Sequence, residues 1–494
     1  MFSDLSTILD IRQSGAHSFV LRLTDGSEFV CEQVVRVLPG RRLVCRGAWN
    51  GRVVFAKLFF GKSAASYARR DREGSQWLHS AQVLTPDLLH SAELAQKISV
   101  LIYAAIENTQ NAEHYWHERP QLHNALAMEL VATLAKHHGA GLIQTDLHLK
   151  NFLIQEQVAD ELKVYTLDGD GIRKIGRLGI KCKRLRNLAT LFSKFDVLND
   201  VSIPALYRQY CSAMGVSYSV ADERHVIKLV WHIRHRVSRT YADKKVFRTC
   251  TDVTVDNSFK HFHALAADVL TNAQTVNLDT YLVDSKANLK NGNTCTVGLG
   301  DFANQRVVIK RYNIKNLWHG ISRALRPSRA AVSWANAHRL LISNIATPKP
   351  LALIEERLGC LRGRAYFLSA YVDAPDVTQF FTQQPDVELQ KTAAQRLANL
   401  FLKLYLLRFA HGDCKASNIK IVHGEPVLID LDSMRSYGAC WLSNWRFEQA
   451  HLKDLKRFMK NWQSDATVLV LLRQAFQSSY PEAAKSMLKR AGIL

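Results

Sequence analysis

Two kinds of hydrophobic periodicity follow one another along this chain, and the sequence of the two occurs twice. Near the amino terminus Phe19-Val20-Leu21-Arg22-Leu23 and Glu28-Phe29-Val30-Cys31 flank Thr24-Asp25-Gly26-Ser27, an Asp-Gly turn between alternating runs that predicts a β-hairpin. Further strands are predicted over 36–40, 42–46 and 53–59, the last two joined by the Gly-containing turn Gly47-Ala48-Trp49-Asn50-Gly51. A polar, helix-compatible stretch over 67–79 follows, ended by Thr85-Pro86, then an apolar strand over 98–106. Leu122, Leu126, Leu130 and Leu134, with Val131, then recur at helical spacing, and Gly139 and Gly141 stop that helix. The order returns downstream: a strand over 305–310, a helix over 328–343, Thr347-Pro348, a strand over 367–372, and the stripe Leu397, Leu400, Leu404 and Leu407.

The chemistry-bearing residues repeat with the pattern. After the first stripe comes Thr145-Asp146-Leu147-His148-Leu149-Lys150-Asn151, an apolar run, and Asp168-Gly169-Asp170. After the second comes His411-Gly412-Asp413-Cys414-Lys415-Ala416-Ser417-Asn418, an apolar run, and Asp430-Leu431-Asp432. Asp-x4-Asn alone is a weak signal, but two copies with the same flanks at nearly the same separation argue for an internal duplication. The layout suits phosphoryl transfer from a nucleotide. Asp146 and Asp413 are the candidate bases, and Lys415 follows the second as in the His-Arg-Asp-Leu-Lys pattern of protein kinases. Asn151, Asp168, Asn418 and Asp430 are candidate Mg²⁺ ligands, since amide and carboxylate oxygens suit that hard cation. Lys57 and Lys310, each on a predicted strand, are candidates for the phosphates of ATP. Glu73 is the candidate helix partner of Lys57, a solvated glutamate being the plain alternative. The helix over 328–343 has no Glu or Asp, and Ser333 or Asn336 stands in the region instead. Asn291-Gly292-Asn293-Thr294 occupies the place of a phosphate loop in the second half, whereas the first half has no Gly-x-Gly-x-x-Gly.

At 494 residues the chain is too long for one ordinary core. Few periodic signals occur over 256–276, which predicts a boundary there and domains over 1–265 and 275–494. Nine dispersed cysteines without Cys-x-x-Cys suggest a reducing compartment. Residues 1–15 lack the layout of a signal peptide and no apolar run approaches the ~18 residues of a membrane span, so a cytosolic protein, free or attached to a cytosolic membrane face, is expected. The net charge of +21 implies an anionic partner: nucleic acid, an anionic membrane surface or a phosphorylated substrate. Eight Lys/Arg and no acid lie between Gly171 and Lys194, where a kinase keeps its acceptor-binding segment. The basic runs lack regular aromatic interleaving and no nucleic-acid motif is present, which disfavours nucleic acid.

Val308-Ile309-Lys310-Arg311-Tyr312-Asn313, Ser333-Trp334-Ala335-Asn336-Ala337-His338-Arg339-Leu340, Ala346-Thr347-Pro348-Lys349-Pro350, His411 to Asn418 and Leu428-Ile429-Asp430-Leu431-Asp432 resemble the bacterial lipopolysaccharide kinase family, which phosphorylates heptose or Kdo sugars of the inner core. The resemblance covers most of 285–465 and, more loosely, 36–175. It implies an α+β fold of two tandem protein-kinase-like domains, each a small antiparallel-sheet lobe plus a larger helical lobe. It also implies ATP and Mg²⁺, a lipopolysaccharide core or lipid-linked sugar as substrate, and peripheral contact with the cytosolic face of the inner membrane. The first half departs in having Gln144-Thr145 for His-Gly, and the second in lacking the helix Glu, so one half is open to a regulatory reading. Both loops retain their base and metal ligands, so both sites are expected to bind Mg-ATP, with transfer assigned to the second. A kinase for a protein or small molecule, or a membrane-associated pseudokinase scaffold, remains open, because aminoglycoside phosphotransferases also carry His-Gly-Asp-x4-Asn.

Overall fold

Gly26, at φ +86°, closes the first hairpin where Asp-Gly predicted it, with Leu23 N donating to Ser27 O at 2.8 Å. The computed structural model describes the chain except residues 1–7, 9–10, 12–13, 95–96, 158–160, 270–277, 284–287, 293–294 and 314–325. Contacts divide it into two units, residues 1–195 with 199–230, and 196–198 with 231–494. Among the described residues no helix is long and apolar enough to cross a membrane.

In the first unit β1 (Phe19–Arg22), β2 (Glu28–Leu38), β3 (Arg42–Trp49) and β4 (Arg52–Phe59) precede α1 (Ala64–Ser80), β5 (Leu88–Leu94) and β6 (Ile98–Ala104). The six strands form one antiparallel sheet in the order β1-β2-β3-β4-β6-β5. The period-2 pattern buries Phe29, Cys31, Val54, Ala56, Leu58, Val100 and Ile102 on one face. Then come β7 (Thr109–Asn111), α2 (Ala112–Glu118) and α3 (His123–Gly139), whose Leu126, Leu130, Val131 and Leu134 are buried as the stripe predicted. β8 (Leu142–Gln144), β9 (Phe152–Glu156), β10 (Leu162–Thr166) and β11 (Ile172–Lys174) bracket two loops. The β8–β9 connection carries Asp146 and Asn151, and the β10–β11 connection carries Asp168. α4 (Ile180–Phe192), α5 (Ile203–Met214) and α6 (Val220–Ala242) follow, and the division between units falls inside α6.

The second unit repeats the plan. It comprises β12 (Val253–Asn257), β13 (His261–Ala266), β14 (Lys290–Gly292), β15 (Cys295–Phe302), β16 (Gln305–Tyr312), α7 (Arg329–Ile342), β17 (Pro350–Leu358) and β18 (Leu361–Ala370). The helical part follows with α8 (Val377–Gln383), α9 (Val387–Leu407), β19 (Phe409–Ala410), β20 (Ile419–Val422), β21 (Glu425–Leu428), β22 (Arg435–Ser436), α10 (Trp441–Met459), α11 (Ala466–Ser479) and α12 (Lys485–Ala491). Its sheet is seven-stranded, β12-β13-β17-β18-β16-β15-β14. Thr347 Oγ1 donates to Leu428 O at 2.7 Å as Thr85 Oγ1 does to Thr166 O at 2.8 Å, so the repeated Thr-Pro ties the two lobes of each unit alike.

The division lies earlier than the boundary expected over 256–276. Strand β13 pairs antiparallel with β17, His261 opposite Glu356, and so belongs to the second sheet. Val253, Phe262 and Ala264 pack with Trp334 in its core, and the Trp334 indole donates to Val246 O at 3.0 Å. The weak periodic signal of this hairpin comes from His and Ala filling its alternating positions. Residue 275, the expected start of the second domain, and Asn293-Thr294 of the expected phosphate loop lie outside the described residues.

Candidate active site

In the first unit β4 presents Lys57 to two carboxylates. Its Nζ lies 2.7 Å from Asp71 Oδ2 and 3.2 Å from Asp168 Oδ1. The helix partner is therefore Asp71, not Glu73. At 100° per residue, positions two apart face nearly opposite sides of a helix. Only Asp71 shares the buried stripe of Ala64, Ala68, Ser75 and Leu78. Asp71 is fully buried and also accepts from Tyr103 Oη at 2.5 Å. Burial alone would lower the pKa of Lys57, but Asp71 and Asp168 outweigh it and raise it. Burial raises the carboxyl of Asp71 against the pull of Lys57.

The helix and the Asp168-Gly169-Asp170 turn touch backbone to backbone. A Cβ on Gly74 would stand 2.0 Å from Gly169 O, and one on Gly169 would stand 2.1 Å from Asp71 O. Asp168 is left-handed, φ +64°, and so is Asp430, φ +62°. A second cation reaches Asp168: Arg42, from the start of β3, places Nη1 3.2 Å from Oδ1. Burial would raise the Asp168 carboxyl, but Lys57 and Arg42 hold it well below the usual carboxylate range.

The first loop is held as the sequence repeat suggests. Asn151 Nδ2 donates to Asp146 O at 2.8 Å, and Thr145 N donates to Gly171 O at 2.8 Å. Asp146 thereby lies beside the Asp168 turn, its Cβ 3.8 Å from where a Cβ on Gly171 would be. The departure at Gln144 has a simple account. Gln144 Nε2 donates to Leu167 O at 3.4 Å, the contact that His411 Nε2 makes with Ile429 O at 2.9 Å in the second unit.

In the second unit Lys310 ion-pairs with Asp430 and lies 3.4 Å from Asp432 Oδ2, while Arg329, the first residue of α7, ion-pairs with Asp432. The carboxylate missing from the helix is thus supplied by the second Asp of Asp-x-Asp. Neither Ser333 nor Asn336 takes that place. Ser333 Oγ shares a 2.8 Å hydrogen bond with Tyr312 Oη, and Asn336 Nδ2 donates to Leu431 O and Met434 O, each at 2.9 Å, pinning the turn that carries Asp432. Burial would lower the pKa of Lys310, but Tyr312, Asp430 and Asp432 raise it; burial would raise Asp430, but Lys310 brings it below the usual range.

Asn418 Nδ2 donates to Asp413 O at 2.8 Å, repeating the Asn151 contact. Two residues that sequence reasoning did not single out complete the loop. Asp454 of α10, buried, accepts from Gly412 N at 3.1 Å and Cys414 N at 3.4 Å and so fixes the backbone on both sides of Asp413. Arg457 Nη2 lies 2.6 Å from Asp413 Oδ1, one helical turn along α10. Their spacing on one helix was visible, but nothing local assigned them to the loop.

A cleft of about 420 Å³ opens over this constellation. Lys310, Lys415, Asn418, Asp430 and Asp432 line one part, and Val297, Val308, Phe367, Tyr371 and Ile429 line another. It is polar where phosphates would lie and apolar where a flat base would lie. Asn418 spends its amide N–H on the loop, so its carbonyl oxygen is what it can offer a cation beside the Asp430 carboxylate.

The model of the lipopolysaccharide kinase (Kdo/WaaP) family matches residues 44–208 and 286–476. Among solved structures the chain is similar to vaccinia related kinase 3, at 12% identity and TM-score 0.25 over 34% of this chain and 54% of that one. It is likewise similar to the BubR1 kinase domain, at 12% identity and TM-score 0.27 over 35% and 57%. The matched stretch therefore spans a little over half of each of those chains. No curated protein matches.

Proposed function

Since the chain belongs to the lipopolysaccharide kinase (Kdo/WaaP) family, we propose that its second unit transfers the γ-phosphoryl group of ATP to a hydroxyl of an inner-core sugar, heptose or Kdo, and that its first unit does not transfer. The observation that carries this reading is the placement of Lys310, Asn418, Asp430 and Asp432 around one cleft. Asp413 accepts the proton of the sugar hydroxyl as its oxygen bonds to the γ-phosphorus, the bond from that phosphorus to the bridging oxygen breaks, and ADP leaves. Lys310 holds the α- and β-phosphates. Asp454 fixes the backbone on both sides of Asp413, and Arg457, 2.6 Å from Asp413 Oδ1, orients its carboxylate. Asn418 and Asp430 supply oxygen donors for Mg²⁺, which when bound neutralises phosphate charge.

The first unit has the same parts in another charge arrangement. Arg42 and Lys57 both ion-pair with Asp168, the carboxylate a metal would need. The expectation that both sites take Mg-ATP is accordingly narrowed to the second. The exposed cations of 171–194 and the net charge of +21 support peripheral contact with an anionic membrane.

The test is phosphate-resolved mass spectrometry of core oligosaccharide incubated with ATP and either Asp413→Ala or Asp146→Ala. Loss with the first variant and retention with the second is expected. Full activity in Asp413→Ala with none in Asp146→Ala would overturn the choice of unit, and no phosphate gained by any core sugar with wild-type protein would overturn the acceptor.

A further inference from the structure

At the outer part of the second unit's sheet, with β17 and β18 between it and the strand of Lys310, two histidines and an aspartate converge. His261 and His263 are two apart on β13 and so share a face. Asp256 of β12 stands opposite His263 in the antiparallel register. One ligand atom from each of the three lies within 4.8 Å of the others, and the closest pair, His261 Nε2 and Asp256 Oδ2, is 3.0 Å apart. The imidazoles stack with centroids 4.4 Å apart at 25°.

The ring of His261 is held from behind. Ser258 Oγ accepts the backbone N–H groups of Lys260 and His261 at 3.2 and 3.1 Å, and lies 2.9 Å from His261 Nδ1. This contact sets the ring plane and aims Nε2 at Asp256; with an ion on Nε2 the ring proton sits on Nδ1 and is donated to Ser258 Oγ. An ordinary His–Asp ion pair accounts for His261. It does not account for His263, whose ring stacks on the first and brings a nitrogen within 4.8 Å of both ligand atoms.

We infer that Asp256, His261 and His263 form a binding site for a divalent transition-metal ion of the zinc class. Imidazole nitrogen and carboxylate oxygen are the ligands such ions take, and bond lengths of 2.0 to 2.2 Å in tetrahedral geometry separate ligand atoms by about 3.3 Å. The 3.0 Å pair is already at that spacing, and a side-chain rotation of His263 closes the rest. Glu356 faces His261 from β17 and is exposed, so a fourth position falls to it or to water. The ion ties β12 to β13, and through Glu356 to β17, where the hairpin joins the sheet. Its place is a structural clamp rather than a step of phosphoryl transfer.

The experiment uses the full chain stripped of metal by a chelator, titrated with ZnCl₂ by calorimetry and with CoCl₂ by visible absorption, beside His261→Ala/His263→Ala, Asp256→Asn and Ser258→Ala. Wild type should bind one more equivalent than the double variant and should show a Co²⁺ ligand-field band without a thiolate charge-transfer band. Ser258→Ala removes only the outer partner and should weaken binding roughly tenfold or more. Circular dichroism reports whether the double variant folds, and if it does not, Asp256→Asn and Ser258→Ala decide. Equal zinc stoichiometry and affinity in wild type and the folded variants overturns the site, and so does a thiolate band, which would assign the ion to cysteine.

Discussion

Replacing each strand lysine by methionine should produce opposite signatures in the two units. In the first, Lys57→Met removes the one ion-pair partner that Asp71 has among the described residues, and Asp71 is fully buried against Tyr103 and the backbone of the Asp168 turn. Removing one partner of a buried pair costs about 3–5 kcal/mol. Asp71 can take up a proton, which its raised pKa favours, so the lower end applies. At about 2–4 °C per kcal/mol for a unit of this size, the first unit's melting transition should fall by on the order of 10 °C. In the second unit Lys310→Met leaves Asp432 still paired with Arg329, and Asp430 keeps 29% of its side chain in solvent. The stability cost should be about 1 kcal/mol. Transfer should nonetheless collapse, because Lys310 is the cation that the phosphates replace the carboxylates on. Calorimetry of each full-length variant, with a transfer assay below the lowest transition, separates the two. Loss of transfer in Lys57→Met without a melting shift, or retained transfer in Lys310→Met, would refute the assignment of roles.

Gly74→Ala sets two effects of opposite sign against each other: helix propensity favours Ala by about 1 kcal/mol, whereas its Cβ would meet Gly169 O at 2.0 Å. Calorimetry should show net destabilisation of about 2 kcal/mol or more, and a rise in melting temperature would show that the helix and turn part freely. His137 and His451 are pushed down by burial to about 3, and His138 and His338 to about 4. Unfolded histidine titrates near 6.5, so below that pH the unfolded chain binds protons that the folded one refuses, and stability falls as pH drops. Each should cost about 1 kcal/mol at pH 5.5, and a melting temperature flat from pH 7 to 5.5 would contradict their burial as neutral rings. In the basic segment Lys181 pairs with Asp222 at 2.7 Å and Arg184 donates to His138 O at 2.6 Å, so the exposed Arg177 and Lys183 are the cations to reverse. Arg177→Glu/Lys183→Glu should weaken sedimentation with anionic vesicles by about 1 kcal/mol per cation at low salt and less at high salt. Unchanged sedimentation would remove this segment from any membrane contact.

The strand lysines, both loops and both Asp-x-Asp turns were legible because each is a residue type fixed by its chemistry at a spacing fixed by local structure. The partners of the lysines were less so. Residue type points to Glu73, whereas burial selects Asp71 through the helical phase of Ala64, Ala68, Ser75 and Leu78, a signal the sequence contains. Arg42, Asp454 and Arg457 act on loops far away in sequence, and no local pattern links them to Asp168 or Asp413. The hairpin over 253–266 alternates as a strand should, but with His and Ala where a hydrophobic pattern expects larger side chains.

The two units show how one scaffold diverges without losing its framework. The Asn contact to the loop, the Thr contact across the lobes and the left-handed Asp are kept in both, and Gln144 does for the first loop what His411 does for the second. The local charge count is kept as well: one lysine and one arginine meet two aspartates in each. What differs is which aspartate the arginine holds. In the second unit Arg329 is on Asp432, and among the described residues Lys310 is the one ion-pair partner of Asp430. A metal and a triphosphate can then divide that single pair, the metal taking the carboxylate and the phosphates the ammonium. In the first unit Arg42 is on Asp168 itself, beside Lys57, and Asp71 keeps the lysine. No exchange there releases a carboxylate without stranding a guanidinium, which has no neutral form to retreat to. On the proposed reading, the position of one arginine, not which loop reads closer to a kinase motif, decides which unit transfers.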